Sequence, residues 1–332
     1  MRPSPWFLAF VPFYRLGFLI HSAAIRTFGQ RQPAVLPTLV VGNLTAGGSG
    51  KTPMVMYLAK TLSTHRSLAV LSRGYGRKKS GIRQVFTQSD PQHVGDEALE
   101  IKRALPQIPV VVGENRRAAV AWIQKTMPQV QWILLDDGLQ HHALKPDLSI
   151  CLLSFPALNA PNKYLLPAGP WRQPLSDRRH FTFSMLTKHP ADLPCPQGWD
   201  ACFYEEMGPL QDVRSGQEIP LTPTGLLLTG LAEAQSLVAF LPDWEHVELN
   251  DHAFLNPKDI EALSKRAAGR CIATTAKDLA RLGNNLQLLP HLAVLPLTIK
   301  PLFPSETNLN QILLNHVERI ERSRGISAPR ME

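Results

Sequence analysis

Acidic residues are missing from the first 89 positions of this 332-residue chain; the first is Asp90. The same stretch holds twelve Lys and Arg, whereas the other 243 residues hold 23, against 27 Asp and Glu. The formal charge of +8 is therefore concentrated at one end. That argues against a nucleic-acid binder coated with positive charge and for one basic region facing phosphates or anionic lipid. Cysteine is scarce as well: four residues, none in CxxC spacing. A disulfide framework and a zinc ribbon are excluded on that pattern, and buried free thiols in a reducing compartment are expected. Long unbroken apolar runs are also lacking. The one segment of membrane length, Trp6 to Ile25, is interrupted by Pro12, Arg15, Gly17 and His21. It suits neither a cleaved signal peptide nor a spanning helix, and is expected to form a membrane-associated helix. Arg26 and Arg31, just after this segment, favour a cytoplasmic position for the adjoining domain. Internal repeats and low-complexity tracts are absent.

What is present is globular: 44% hydrophobic and 19% charged residues, enough for two domains with cores. Short apolar runs at 39–41, 67–72, 109–112, 132–135 and 148–154 read as strands. They alternate with helical patterns at 52–62, 96–105 and 116–127, which predicts an α/β fold with a mostly parallel sheet. Residues 156–223 read as irregular. A smaller C-terminal α/β unit comes next, with strands at 225–228, 272–275 and 292–297, helices at 233–240 and 259–268, and a terminal amphipathic helix at 309–322. The expected organisation is an N-terminal membrane-associated helix (1–30), a P-loop domain (31–220) and the smaller domain (221–332).

Thr45, Ala46, Gly47, Gly48, Ser49, Gly50, Lys51 and Thr52 spell TAGGSGKT between a strand and a helix. That context makes a phosphate loop. Glycines let backbone N–H groups turn inward, the helix N-terminus adds positive potential, Lys51 can reach the β- and γ-phosphates, and Thr52 can bind Mg²⁺. Thr45 stands where the usual pattern has its first glycine. The strand WILL ends in Asp136 and Asp137, placed to hold Mg²⁺ near those phosphates; a simple turn at Asp137-Gly138 is the competing reading. The phosphate loop alone also suits a GTPase or ATPase maturation factor, or a nucleotide-gated membrane adaptor. TTAKD (274–278) is faintly like a guanine-reading motif.

Arg73 and Arg77, in SRGYGRKKSG, come after the second strand and could bind transferring phosphate or an anionic acceptor, or form a solvated basic loop. Asp96 fits a helix N-cap or a general base. His252 is ambiguous alone, and Gln140-His141-His142 fits an ordinary loop.

Together, VGNLTAGGSGKTP (41–53), LSRGYGRK (71–78), VGDEALE (94–100), LDDGLQHHAL (135–144), LLPAGPWRQPLSD (165–177), the DH of 251–252 and TTAKDLARL (274–282) resemble the tetraacyldisaccharide 4′-kinase family of Gram-negative bacteria. The resemblance implies ATP- and Mg²⁺-dependent phosphorylation of the 4′-hydroxyl of a tetraacyldisaccharide 1-phosphate in lipid A biosynthesis. It implies a monotopic enzyme at the cytoplasmic face of the inner membrane, and a monomer is expected. Carried over, Lys51 and Thr52 are the phosphate-loop pair, and Asp136 and Asp137 the metal carboxylates. Asp96 is the base, with His252 its partner from the second domain. Arg73, Gln140, His141 and Arg172 are expected around the substrate, and Arg77 at the transferring phosphate. Gln173 and Ala276 replace glutamates common in the family, so no carboxylate role carries over to either.

Overall fold

The computed structural model describes residues 10–17, 32–137, 144–230, 237–238, 240–249, 256–281, 289, 291–302 and 305–326. The large sheet begins with Thr38–Asn43 (β1), whose six residues are all buried. Leu68–Ser72 (β2), Arg83–Val85 (β3), Val110–Val112 (β4), Trp132–Asp136 (β5), Leu148–Ser154 (β6), Phe183–Thr187 (β7) and Ala201–Met207 (β8) come next. Strands covered on both faces need apolar side chains on both, and runs such as WILL and SICLL provide them. The second sheet takes Leu210–Asp212 (β9), Glu218–Ile219 (β10), Leu226–Gly230 (β11), Glu245–Leu249 (β12), Ile272–Thr274 (β13) and Leu292–Val294 (β14).

The chain then returns. Leu297–Pro301 (β15) pairs antiparallel with β8 and completes a nine-stranded sheet of order β15-β8-β7-β6-β1-β5-β2-β4-β3. Its seven inner strands are parallel. The second sheet runs β10-β9-β14-β13-β11-β12. The single strand expected at 292–297 is thus two strands in two sheets, split at Pro296, which has no N–H for a ladder.

Lys51–Ser63 (α1) and Asp96–Ala104 (α2) cover one face of the large sheet, and Arg116–Thr126 (α3) covers the other. On α1, Met54, Val55, Leu58, Ala59 and Leu62 form one buried stripe at helical spacing. Pro257–Ala267 (α4) packs Ile260, Leu263 and Ala267 onto the second sheet behind an Asn256 capping box. Ala276–Arg281 (α5) comes after β13, and Ser305–Arg324 (α6) ends the described chain. The terminal helix expected with the smaller unit packs its Leu309, Leu313 and Val317 into the core of the large sheet. Polar locks hold it there. Buried Glu321 accepts from Arg66 at 2.7 and 2.9 Å and from the Trp132 indole at 2.9 Å. Arg324 grips Asp147 at 2.7 Å.

Two further expectations change, and a third is only partly covered by the described residues. The stretch 156–223 contains four strands, β7 to β10. Cys195 and Cys202 form a disulfide, leaving Cys151 and Cys271 as the free thiols; a C-x6-C spacing carries no local signature, and only the fold of the segment before β8 brings the two together. Of the N-terminal segment, residues 10–17 are described and helical, with Phe10, Phe13 and Leu16 exposed; its remainder, and most of the helix expected at 233–240, lie outside the described residues. Among the described residues no helix is long and apolar enough to cross a membrane.

Candidate active site

A site forms at the carboxyl ends of the parallel strands. Between β1 and α1 the chain turns through Gly47, Gly48 and Gly50, all at positive φ. Gly50, directly before α1, has φ 71° and ψ 28°, left-handed values that glycine adopts without steric cost. Pro53 lies in the first helical turn, where its missing N–H costs nothing. The loop is braced by residues that a glycine-lysine pattern does not name. The Asn43 amide donates to the Thr45 carbonyl and to Ser49 Oγ at 2.7 Å. The Thr187 hydroxyl, at the end of β7, donates to the Ser49 carbonyl at 2.9 Å. The segment around Trp171 pairs with the start of the loop. Ala46 N–H donates to the Pro170 carbonyl at 2.6 Å and Arg172 N–H to the Leu44 carbonyl at 2.8 Å.

Lys51 points its ammonium at the Asn43 side-chain oxygen, 3.4 Å away, and at Asp137 Oδ1, 3.6 Å away. Arg172 approaches the same Asp137 oxygen at 4.0 Å. Asp136 is 2% exposed at the end of β5. Its Oδ2 accepts from Ser72 at 3.1 Å, while its Oδ1 is buried without a partner. Burial is the main cause that pushes its pKa up to about 6; Glu97 and Asp137 add to this, and Lys51 and Ser72 oppose it. Behind it lies Arg116, a buried cation that the sequence did not single out. Its guanidinium donates to the Gly113 carbonyl and, at 3.4 Å, to the Asp136 carbonyl. Burial lowers its pKa to about 10, which leaves it charged at neutral pH.

Asp96 is buried as the first residue of α2, not as its cap; Gly95, at φ 90°, takes the cap position. The Asp96 carboxylate accepts the Glu97 N–H at 3.0 Å. The SRGYGR loop lies against this start. A Cβ on Gly95 would come 3.0 Å from the Gly74 Cα, and one on Gly74 would come 2.9 Å from the Val94 carbonyl. Two glycines therefore let the backbone of the SRGYGR loop touch that of the turn before Asp96. Arg73 is exposed. Arg77 is turned elsewhere: it pairs with Glu114 and donates to the Gly81 carbonyl at 2.7 Å. Glu114 also accepts the Gly81 N–H, closing the loop. Arg77 is thus a brace of the basic loop. Gln140, His141 and His252 lie outside the described residues.

Asn43, Thr187, Arg116 and Glu114 were not singled out from the sequence. Only Asn43, adjacent to the glycine-rich stretch, carried a local signal for its role; the others join the site through strand order.

The family model described as tetraacyldisaccharide-1-P 4′-kinase matches residues 5–318. A tetraacyldisaccharide 4′-kinase from Parabacteroides distasonis is 32% identical over 321 residues, 85% of this chain and 86% of the relative. One from Flavobacterium johnsoniae is 32% identical over 283 residues, 79% of this chain and 82% of the relative. The crystal structure of LpxK from Aquifex aeolicus in complex with ATP superposes with a TM-score of 0.74 at 26% identity, covering 93% of this chain and 98% of that one. The chain belongs to the tetraacyldisaccharide-1-P 4′-kinase family and is a kinase, a phosphotransferase of lipid A biosynthesis.

Proposed function

We propose that this chain moves the terminal phosphoryl group of ATP onto the 4′-hydroxyl of a tetraacyldisaccharide 1-phosphate at the cytoplasmic face of the inner membrane, acting as a monomer. One observation carries the reading: an unpartnered buried carboxylate oxygen of Asp136 beside Lys51 and Asp137, at the mouth of a glycine-built phosphate loop. Hard oxygen donors held out of water suit Mg²⁺, so Thr52, Asp136 and Asp137 are the residues that would hold it. Bound Mg²⁺ supplies positive charge to phosphate oxygens.

The protein's own groups do the rest. Backbone N–H groups of Thr45 to Thr52 cradle the phosphates. Lys51, released from Asn43 and Asp137, neutralises charge on the transferring group. Phosphoryl transfer asks mainly for alignment and charge stabilisation. Asp96 takes the proton of the attacking hydroxyl, with His252 as its partner. Arg73 and Arg172, with Gln140 and His141, meet the anionic disaccharide; Arg77 positions the basic loop through Glu114. The large sheet and its helices form the phosphate-binding lobe, and the second sheet forms the other. Phe10, Phe13 and Leu16, three residues apart on one helix, present apolar side chains to a lipid surface. The Tyr14 hydroxyl donates to the Arg172 carbonyl at 3.4 Å, which ties that helix to the site's edge. A guanine-reading role for TTAKD loses its support, because Asp278 is committed to Gly230 and Thr275.

The test supplies γ-labelled ATP and a tetraacyldisaccharide 1-phosphate in mixed micelles. Label is expected in the lipid fraction; label recovered solely as free phosphate rejects the reading. Asp96→Ala is expected to lower turnover by roughly 10²- to 10⁴-fold with ATP affinity retained. Lost ATP binding would remove the base role.

A further inference from the structure

The TTAKD segment has no task in the phosphoryl-transfer chemistry, yet it is built with care. It begins at the end of β13 and opens α5. Asp278 N–H donates to Thr275 Oγ at 3.1 Å, and the Thr275 hydroxyl donates back to Asp278 Oδ2 at 3.0 Å. The same Oδ2 accepts the Gly230 N–H, at the end of β11, at 3.1 Å. Asp278 is 2% exposed and Thr275 4%. Buried charge-assisted hydrogen bonds of this kind fix direction as well as position. The start of α5 is therefore set rigidly on two strands of the second sheet.

The short helix so fixed packs against α2, the helix that opens with Asp96. Across that contact Lys277 Nζ lies 3.6 Å from Glu97 Oε1. Glu97 is the residue directly after Asp96, and its charge is felt at Asp136. One lysine that opens from the second sheet thus meets the carboxylate directly after the proposed base.

We infer that Lys277 is a positioning residue: it ties the second lobe to the start of α2 and so holds Asp96 in line for transfer. The inference rests on the kinase reading. Lys277 pairs with Glu97, the neighbour of Asp96, and acts through it. A point charge on a flexible stem suits this use, because it can track Glu97 as the lobes shift. Loosening the tie should let the start of α2 and the second lobe separate while the phosphate loop, built wholly on the other lobe, stays intact. Small misplacement of a reacting group costs turnover more than it costs binding of the other substrate.

Steady-state kinetics on the full chain test this, with kcat and the KM for ATP measured separately. Lys277→Met is expected to lower kcat roughly three- to tenfold, inside the range of coupling between contacting residues. The KM for ATP and the melting temperature should stay near wild type, and Lys277→Arg should recover most of the loss. Glu97→Gln combined with Lys277→Met should lose no more than the worse single variant. An unchanged kcat in Lys277→Met, a KM for ATP that rises in step with the loss, or two losses that multiply in the double variant would each overturn the inference. A wild-type enzyme that transfers no label to lipid would instead be a failure of the kinase reading, with ATP binding still measurable.

Discussion

Asp136 and Asp278 look alike by position. Each is 2% exposed, and each lies at or just beyond the carboxyl end of a strand, β5 in one lobe and β13 in the other. Their surroundings are opposite. Asp278 spends one oxygen on two donors, the Thr275 hydroxyl and the Gly230 N–H. Asp136 takes one bond from Ser72 and leaves Oδ1 buried with nothing to accept from. A buried carboxylate without partners is costly, and folded proteins rarely keep one without a use. The comparison separates two purposes of the same residue. Asp278 is finished by folding and holds a helix in place. Asp136 keeps one oxygen unused by the fold, which is what the proposed metal role requires.

The largest effect should come from replacing the unfinished one. Asp136→Asn is expected to remove most activity, roughly 10³-fold or more if it withdraws charge from transferring phosphate, while making the ligand-free protein more stable at pH 8. The sign comes from the raised pKa. The folded protein holds a proton at Asp136 up to about pH 6, whereas the unfolded chain loses it near 3.8. Between these values the folded state binds more protons, so its stability falls as pH rises. Above pH 6 the penalty is complete, on the order of 3 kcal/mol. Asp136→Asn abolishes that pH dependence and should raise the melting temperature at pH 8 more than at pH 5. Melting curves at both values check it. A variant less stable than wild type at pH 8 breaks the comparison.

The difference between the two aspartates was half visible in the amino-acid order. WILLDD and GSGKT are local patterns, so the strands that flank them and the approach of Lys51 to the end of WILLDD, where it meets Asp137, could be expected from the order of residues alone. TTAKD offered only a faint likeness to a guanine-reading motif, because its bonds reach Gly230, some fifty residues earlier, and Glu97 on α2. Strands β7 and β8 were hidden for a related reason. FSMLT and ACFYEEM lie among prolines and charges, and only their neighbours in the sheet make them interior. With β7 unseen, Thr187 could not be connected to the phosphate loop. Nor could β15 be foreseen beside β8, a pairing of residues about a hundred apart such as Phe203 with Pro301. Side chains that act within a few residues of their motif were legible; those brought in by strand order were not.

The finished aspartate should respond in the opposite sense. Asp278→Asn leaves donors facing a weaker acceptor, and Asp278→Ala leaves them with none. Removing one partner of a buried bond costs about 1–3 kcal/mol. Denaturant melts are expected to show Asp278→Ala less stable at every pH, with the smaller loss in Asp278→Asn. ATP binding should survive in both, because the glycine-rich loop proposed to hold its phosphates is built on the large sheet. A stabilised Asp278→Ala would erase the contrast with Asp136.

The smallest effect sharpens the contrast without touching either carboxylate. Ser72 is the hydroxyl that donates to Asp136, at 3.1 Å, and it favours the ionised form. Ser72→Ala removes that donor and should push the Asp136 pKa further above 6. The pH at which the ligand-free protein finishes losing stability then moves upward, and stability at pH 8 drops by about 1 kcal/mol or less. At pH 5, where Asp136 is largely protonated in the folded protein, the variant and wild type should nearly coincide. In the Asp136→Asn background the same substitution should leave no pH-dependent difference. If Ser72→Ala instead lowers stability equally at pH 5 and pH 8, the serine is packing β2 rather than serving the carboxylate. Of the two groups that favour ionised Asp136, Lys51 and Ser72, only Lys51 would then remain.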